Sequence, residues 1–554
     1  MNAPQLQGSS LTDRLLQALH DLGVRDAFGL VGGAIAPFCD RLARSPLRSF
    51  QVRHEGGALF AAVEASLATG RPTLAFVTTG PGLLNALTGA VAARWEGARV
   101  LLISGATSAP QRGRWAVQET GPGTLPAESL YRPGLFFHEA ALLDRAEELP
   151  ELLERIAEGF RRPEGFVAHL GLPIAVQRSQ VPELRLAARP MLRPLPPAEE
   201  LDDAAAALAE APFAVWVGHG AREAGAELRT LVERCGVPVI CTPRGKGVLP
   251  EAHPLCLGVT GCGGHEHLEP ALAALGVRRI LVLGSKLGEF SSCWSPGLCP
   301  PDGFVHVDLD PAAFGAAYPE ARTLGLVGDV GRVLEALSAR LPAAPAAVLP
   351  RSEPATLRSR GPILPQELLA AVQEVVIEGS LATVLAESGN AFLWANNLLC
   401  VPEPGRYRVS GLWGSMGHAT SGILGLAATR GKAVALVGDG AMLMMNEVST
   451  AVQYDLPAVW IVLNDARMGI VEKGMAGLGL QPYETSLPAT DFAMLARAMG
   501  ARGLSVDRPD ELHAVLREAM ALPGPVVVDV IIDPEEPSPF ARRVSTLNAM
   551  GARA

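Results

Sequence analysis

The sequence predicts an α/β protein made of three consecutive doubly wound parallel-sheet domains. Short apolar runs of strand length recur between helical stretches along the whole chain. Two proline-rich breaks divide that series into three. At 554 residues the chain is too long for one core. Apolar residues make up 48% and charged residues 19%, with Gly and Pro spread throughout, which fits a globular α/β protein rather than a disordered one.

The first domain is expected over residues 1–185. Leu11, Leu15, Leu16, Leu19 and Leu22 share one helical face, with Asp13 in the first turn and Gly23 as the stop. Strands are expected at Phe50–Val52, Leu74–Thr78 and Val100–Ser104, separated by helices over Gly56–Gly70 and Leu83–Arg94. That alternation implies a parallel sheet covered on both faces. The run Arg189–Pro197 reads as a linker, and an Ala-rich helix over Leu201–Ala211 follows it.

The central domain is expected over 195–342, with strands at Ala214–Val217, Val237–Cys241, Arg279–Leu283 and Phe304–Leu309. A second linker, Pro342–Pro362, leads to a third domain over 362–554. Its strands are expected at Ala382–Ala386, Ala433–Val437, Ala458–Leu463 and Val526–Ile532. No internal repeat is strong enough to mark the units as copies of one another.

A formal charge of −10 without any basic stripe argues against nucleic acid as a partner. No apolar run reaches bilayer length, and Met1–Ser10 does not resemble a secretion signal, so no membrane association and a cytoplasmic location are expected. The eight cysteines include no CxxC pair, which fits reduced thiols. Cys256, Cys262, His265 and His267 lie close in sequence, but their spacing fits no zinc template.

The sharpest chemical signal is Ala433 to Arg467: an apolar strand, the turn Gly438-Asp439-Gly440, a helix, a second apolar strand, then Asn464-Asp465. In an open parallel sheet, ligands collect at the carboxyl ends of the strands. Asp439 offers a carboxylate there, Asp465 a second one or Asn464 an amide oxygen, and a carbonyl such as that of Arg467 completes the set. Such oxygens suit Mg²⁺, which can clamp a diphosphate. Gly438 and Gly440 allow close backbone approach, and amides opening the next helix, at Ala441, favour anionic oxygens. Taken alone, the same residues also read as ordinary loop chemistry.

The segment resembles the thiamine diphosphate motif of the acetolactate synthase and pyruvate decarboxylase superfamily, GDG followed at a distance by Asn-Asn. Asp465 replaces the second asparagine, and the spacing is about one residue short near Met444 to Glu447. The resemblance implies Asp439, Asp465 and the Arg467 carbonyl as metal ligands, with Asn464 a rival for the second position.

Further blocks carry the same resemblance. Arg53-His54-Glu55-Gly56-Gly57-Ala58 is similar to the family's RHE-x-x-A block. It implies that Glu55 bonds N1′ of the aminopyrimidine and helps the 4′-amino group become the base that takes the C2 proton. That role requires a carboxyl group in a largely apolar pocket; the plain alternative is a glutamate in a favourable first helical turn. Thr78 to Asn85 resembles the TSGPGxxN loop of the aminopyrimidine pocket, bringing in Pro81 and Asn85. Trp115 to Glu119 resembles the AFQE block, so Gln118 either approaches the reacting carbonyl or is a polar residue of a surface loop.

Gly411 to Gly417 resembles the block whose bulky apolar side chain bends the cofactor, implying Met416 in that role beside Ser415. Bending makes the proton transfer intramolecular; core filling is the alternative for a methionine. Asn390 matches a diphosphate contact, and Gly469 and Ile470 join the cofactor set. Val217 to Ala221, Thr242 to Gly247 and Pro250 to Leu255 extend the likeness through the middle domain, so it covers roughly residues 10–535. Some relatives hold FAD in that domain; no essential FAD is expected here.

Thiamine diphosphate and Mg²⁺ are thus the implied cofactors, with a small 2-oxo acid or related carbonyl compound as substrate. The implied reaction is decarboxylation of a 2-oxo acid with carboligation of the resulting enamine to a second carbonyl. A simple 2-oxo acid decarboxylase, another C–C lyase, or a non-catalytic cofactor-binding homologue are the alternatives. The family's sites form where one subunit's first domain meets another's third, implying a homodimer or homotetramer. Acetolactate synthases carry a Gln-Trp pair shortly after the second metal strand, whereas this chain has Ile470-Val471-Glu472-Lys473-Gly474, which leaves the acceptor open. Lys473 reads either as a partner for a substrate carboxylate or as a solvated lysine. The tail Pro537–Ala554 either covers the site or frays. A nucleotide-dependent oxidoreductase is disfavoured, since no strand leads into a clean GxGxxG with its acidic partner.

Overall fold

Three six-stranded sheets follow one another along the chain, and every pairing between their strands is parallel. The computed structural model describes residues 10–121, 123–124, 127–181, 186–187, 189–349 and 361–551. Residues 1–9 of the N-terminal segment, 350–360 of the second linker and 552–554 of the tail lie outside the described residues.

The first sheet contains β1 (Asp26–Gly29), β2 (Arg48–Gln51), β3 (Thr73–Val77), β4 (Arg99–Ala106), β5 (Glu139–Leu142) and β6 (Phe166–Pro173), in the order β2-β1-β3-β4-β6-β5. The second contains β7 (Phe213–Val217), β8 (Val239–Cys241), β9 (Cys256–Val259), β10 (Arg279–Leu283), β11 (Phe304–Asp308) and β12 (Thr323–Val327), in the order β12-β11-β10-β7-β8-β9. The third contains β13 (Thr383–Ala386), β14 (Tyr407–Val409), β15 (Ala433–Gly438), β16 (Ala458–Asn464), β17 (Arg502–Val506) and β18 (Val526–Ile531), in the order β14-β13-β15-β16-β18-β17. Counted within each domain, the first and third sheets share one strand order and the central sheet has another.

Every strand expected from apolar runs is present. The unexpected ones are mostly edges: β5, β9, β12, β14 and β17 each close one side of a sheet. An edge strand packs on fewer neighbours, so its sequence is mixed, as in Thr323–Val327 and Arg502–Val506, where most residues are partly exposed. The inner strand β6 is wholly buried, but His169 and Gly171 interrupt its apolar run. His169 is accommodated by Ser104 Oγ at 2.8 Å and the Leu130 carbonyl at 2.6 Å.

The opening helix, Leu11–Asp21, starts at a capping box between Ser10 and Asp13 and stops before Gly23, whose φ is 96°. Helix Glu55–Thr69 of the first domain packs along helix His418–Arg430 of the third, and residues of both domains share one apolar core. Small residues permit the approach: a Cβ on Gly425 would stand 2.0 Å from the Ala61 carbonyl oxygen. A buried ion cluster spans the same contact. Arg408 reaches Glu64 through two bonds of 3.0 and 3.2 Å, and His418 Nε2 meets Glu64 at 3.0 Å. The central domain is tied to the first by Arg244 and Glu96 at 3.0 Å, and to the third by Lys246, which donates to the Asn396 carbonyl.

Among the described residues no helix is long and apolar enough to cross a membrane. None of the eight cysteines forms a disulfide. His265 and His267 stack on each other and bond backbone carbonyls of Asn397 and Leu257, and the described residues include no group of three or more side chains placed to hold a metal through His, Cys, Asp or Glu alone.

Candidate active site

Glu55 is the first residue of helix Glu55–Thr69, just after the edge strand β2, and is 6% exposed. Its turn is anchored across the domain boundary. The amides of Arg53 and His54 both donate to the Glu447 carboxylate at 3.0 Å, and Thr450 donates to it at 2.6 Å. Glu447 is fully buried, and burial pushes its carboxyl above the usual range against those bonds. It lies within the segment where the motif spacing is irregular, and only the tertiary contact reveals its part.

The other residues of this first group gather at the end of β3. Pro81 opens helix Pro81–Glu96, and Asn85 one turn on donates to Glu55 Oε2 at 3.1 Å. Gly80 has φ 61°, and a Cβ there would stand 2.9 Å from Gln118 Cβ, so this turn admits only glycine and brings the Gln118 loop against it. The Gln118 carbonyl accepts from the hydroxyls of Thr79 and Thr120, while its side chain is exposed. Trp115 and Val117 beside it are 93% and 92% exposed.

A second group forms at the carboxyl ends of β13, β15 and β16, which are adjacent in the third sheet. β15 and β16 pair with Gly438 opposite Leu463, so the residues that follow leave the sheet side by side. Asp439 accepts from Gly440 N at 2.7 Å and from Arg467 N at 3.2 Å. Burial pushes the Asp439 carboxyl upward against these bonds. Asp465 is pushed up to about 6, first by burial and then by the charge of Asp439. Two largely buried neighbouring carboxylates, one of them raised further by the charge of the other, favour a cation between them.

Asn464 faces elsewhere: its side-chain amide donates to Asp529 at 2.9 Å and to the Thr490 carbonyl at 3.0 Å. Gly469, first in helix Gly469–Gly477, lies where a Cβ would be 2.7 Å from Asn390 Nδ2 and 2.8 Å from Asp465 Oδ2. Asn390, Asp465 and Gly469 therefore converge, and Ile470 behind them packs on the domain core. Arg467 directs its guanidinium to Glu472 and Glu535, both at 2.9 Å. The Lys473 ammonium donates to the Glu536 carbonyl.

The loop Gly411 to Gly417 borders this group, with Gly417 against Met444 and Gly414 near Ser388. Glu387, which opens the sequence block that holds Asn390 but to which the sequence alone assigns no role, fixes its far end by accepting from the amides of Ala419 and Thr420 at 2.9 and 3.2 Å. Buried Ala441 offers its carbonyl to Thr420. Met416 is 42% exposed, so it does not fill the core of its own chain. The first group is held by contacts within the first domain and by Glu447 of the third, and the second by contacts of the third domain.

Family models described as the thiamine pyrophosphate enzyme N-terminal binding domain, central domain and C-terminal binding domain match residues 9–123, 201–337 and 387–530. The chain belongs to the thiamine pyrophosphate-dependent enzymes. A probable acetolactate synthase 2 of Oryza sativa is 30% identical over 95% of this chain and 83% of its own length. A probable 2-ketoarginine decarboxylase of Pseudomonas aeruginosa is 29% identical over 93% of both chains, and a 2-hydroxyacyl-CoA lyase of Oryza sativa 28% over 95% of both. The family thus includes synthases, decarboxylases and lyases.

The residues present fit the family's cofactor. Asn390 Oδ1 and Ser415 Oγ are buried without a hydrogen-bond partner, and both border the second group. Beside them stand two carboxylates suited to a hard cation and the short helix Asp439–Met442. The first group offers a carboxyl and an amide at the mouth of a glycine-formed turn, the polar pair that a ring with donor and acceptor nitrogens requires.

Proposed function

We propose that this enzyme decarboxylates a 2-oxo acid with thiamine diphosphate and Mg²⁺ and joins the remaining fragment to a second carbonyl compound, as an acetolactate synthase does. The observation that carries this reading is the pairing of a buried Glu55–Asn85 acid with a separate diphosphate-type site at Asp439 and Asp465. Bound there, the cofactor would supply a carbon nucleophile and an electron sink.

In this reading Glu55 holds and returns a proton at N1′ of the ring, and Asn85 fixes the orientation of its carboxyl. Asp439, Asp465 and the Arg467 carbonyl hold the metal; Asn390, Ser415 and the Gly438 to Ala441 turn, with Gly469 and Ile470, hold the diphosphate end. Met416 supports the bend, Pro81 shapes the ring pocket, and Gln118 faces the reacting carbonyl. The exposed Trp115 and Val117 on the first domain and Met416 and Leu443 on the third support a homodimer or homotetramer, in which each site joins two copies. Eight cysteines without a disulfide among them support a cytoplasmic location.

A second reading is a 2-oxo acid decarboxylase or other C–C lyase without carboligation. It is favoured by Ile470 to Gly474, which lacks the Gln-Trp pair of acetolactate synthases and places Lys473 near Asp465. Incubating the protein with thiamine diphosphate, Mg²⁺ and a panel of 2-oxo acids, and following carbon dioxide and products, separates the two. Acyloin or 2-hydroxy-3-oxo acid products support carboligation; aldehyde alone supports the second reading. No turnover of any member would overturn both.

A further inference from the structure

The chain departs from the motif it resembles at one metal-facing position, where Asp465 stands in place of asparagine. We propose that the Asp439–Asp465 pair takes up a divalent cation on its own, before the diphosphate, so that assembly of the site is metal first. This rests on the reading of the site given above and concerns its order of loading.

The geometry supplies the argument. Asp439 and Asp465 follow the ends of two neighbouring parallel strands, with Gly438 opposite Leu463 in the register. Asp439 keeps its carboxylate in the turn by accepting from Gly440 N and Arg467 N. Asp465 Oδ2 and the Asn390 side chain crowd the same point at Gly469, and Asn390 Oδ1 there is buried without a partner. Among the nearby cationic side chains Arg467 pairs with Glu472 and Glu535, and Lys473 donates to the Glu536 carbonyl, acting on Asp465 through its charge without an ion pair. Among the described residues neither Asp439 nor Asp465 forms an ion pair.

Two largely dehydrated like charges repel, and each has lost much of its hydration. A dipositive ion cancels both at once. With asparagine in place of Asp465, the same ion would keep one uncompensated charge until diphosphate oxygens arrived, so metal and cofactor would bind as a unit. With two carboxylates the ion is neutralised by the protein, whereas a diphosphate without metal meets two negative charges.

The test is Mn²⁺ binding to the cofactor-free protein, read by electron paramagnetic resonance of the free ion, with and without added thiamine diphosphate. The wild type is expected to bind one Mn²⁺ per chain without thiamine diphosphate. Asp465→Asn is expected to weaken that binding by at least about tenfold, with most of the loss recovered when thiamine diphosphate is added. Recovery also shows that the variant is folded. Wild-type uptake only in the presence of thiamine diphosphate, or equal cofactor-free affinity in Asp465→Asn, would overturn the inference while leaving the site intact. No Mn²⁺ uptake under either condition would overturn the underlying site reading as well.

Discussion

The side-chain amide of Asn85 donates to the Glu55 carboxylate at 3.1 Å, joining the start of one helix to the second turn of the next. Glu55 is buried and Asn85 is exposed, and the other carboxyl oxygen, Oε1, lies against Gly82, where a Cβ would stand 3.2 Å from it. Glu55→Gln is expected to slow deuterium exchange at C2 of bound thiamine diphosphate by about 100-fold or more, as loss of a positioned acid–base group does. Cofactor affinity should stay close to wild type. Proton NMR of quenched samples measures the exchange, and an unchanged rate would remove Glu55 from the role.

Asp439 is fixed by two backbone amides and has no side-chain substitute within its turn. Asp439→Ala is expected to abolish Mg²⁺-dependent retention of thiamine diphosphate, a loss beyond the roughly 100-fold that outer-shell partners typically cost. Gel filtration followed by cofactor assay gives the answer. Wild-type protein treated with a chelator should behave like the variant, and a variant that still retains cofactor would discredit the metal assignment.

The Gln118 backbone is fastened by Thr79 and Thr120 while its side chain is left free. Gln118→Ala should therefore leave thermal stability within about 0.5 kcal/mol, as for an exposed substitution. It should shift products from carboligation toward simple aldehyde release. Product ratios by gas chromatography test this; an unchanged ratio would return Gln118 to an ordinary loop residue.

Glu64 and His418 give a pH prediction for the contact between the first and third domains. Burial works to raise the Glu64 carboxyl, but Arg408 and His418 override it and hold it at about 2. Burial works to lower His418, but Glu64 holds the imidazole above its ordinary value. The Glu64 contribution is present above its unfolded pKa of about 4.3 and fades as pH falls toward 2. The His418 contribution is full below about 6.5 and is lost as pH rises through its folded pKa. Glu64→Gln, which leaves Arg408 and His418 buried without their anion, is expected to cost roughly 3–5 kcal/mol. Scanning calorimetry should show the largest Tm difference from wild type between about pH 4.5 and 6.5, narrowing at alkaline pH because His418 is then neutral. A difference that grows at alkaline pH would contradict the assignment.

The sequence by itself determined the three α/β units, because central parallel strands are buried on both faces and leave unbroken apolar runs such as Ala433 to Val437. It also marked as candidates the residues that lie beside tight turns, Glu55, Pro81, Asn85, Asp439 and Asp465, since strand, turn and helix are contiguous there. Of the edge strands only β2 was legible; β12 and β17 were not, because much of their surface faces solvent and their composition follows suit. The strand order common to the first and third sheets was equally hidden: order is set by long-range pairing, which sequences with no visible repeat do not display.

Tertiary structure alone decided which neighbours serve these residues. Asn464 and Asp465 are adjacent in sequence, yet Asn464 turns to Asp529 while Asp465 meets Asn390 at Gly469. Glu447 and Glu387 read as ordinary acidic residues until folding buries them against the amides that follow Val52 and His418. Local patterns record backbone shape and burial over a few residues, whereas a carboxylate acquires its task from groups hundreds of positions away, and only the folded chain brings those together.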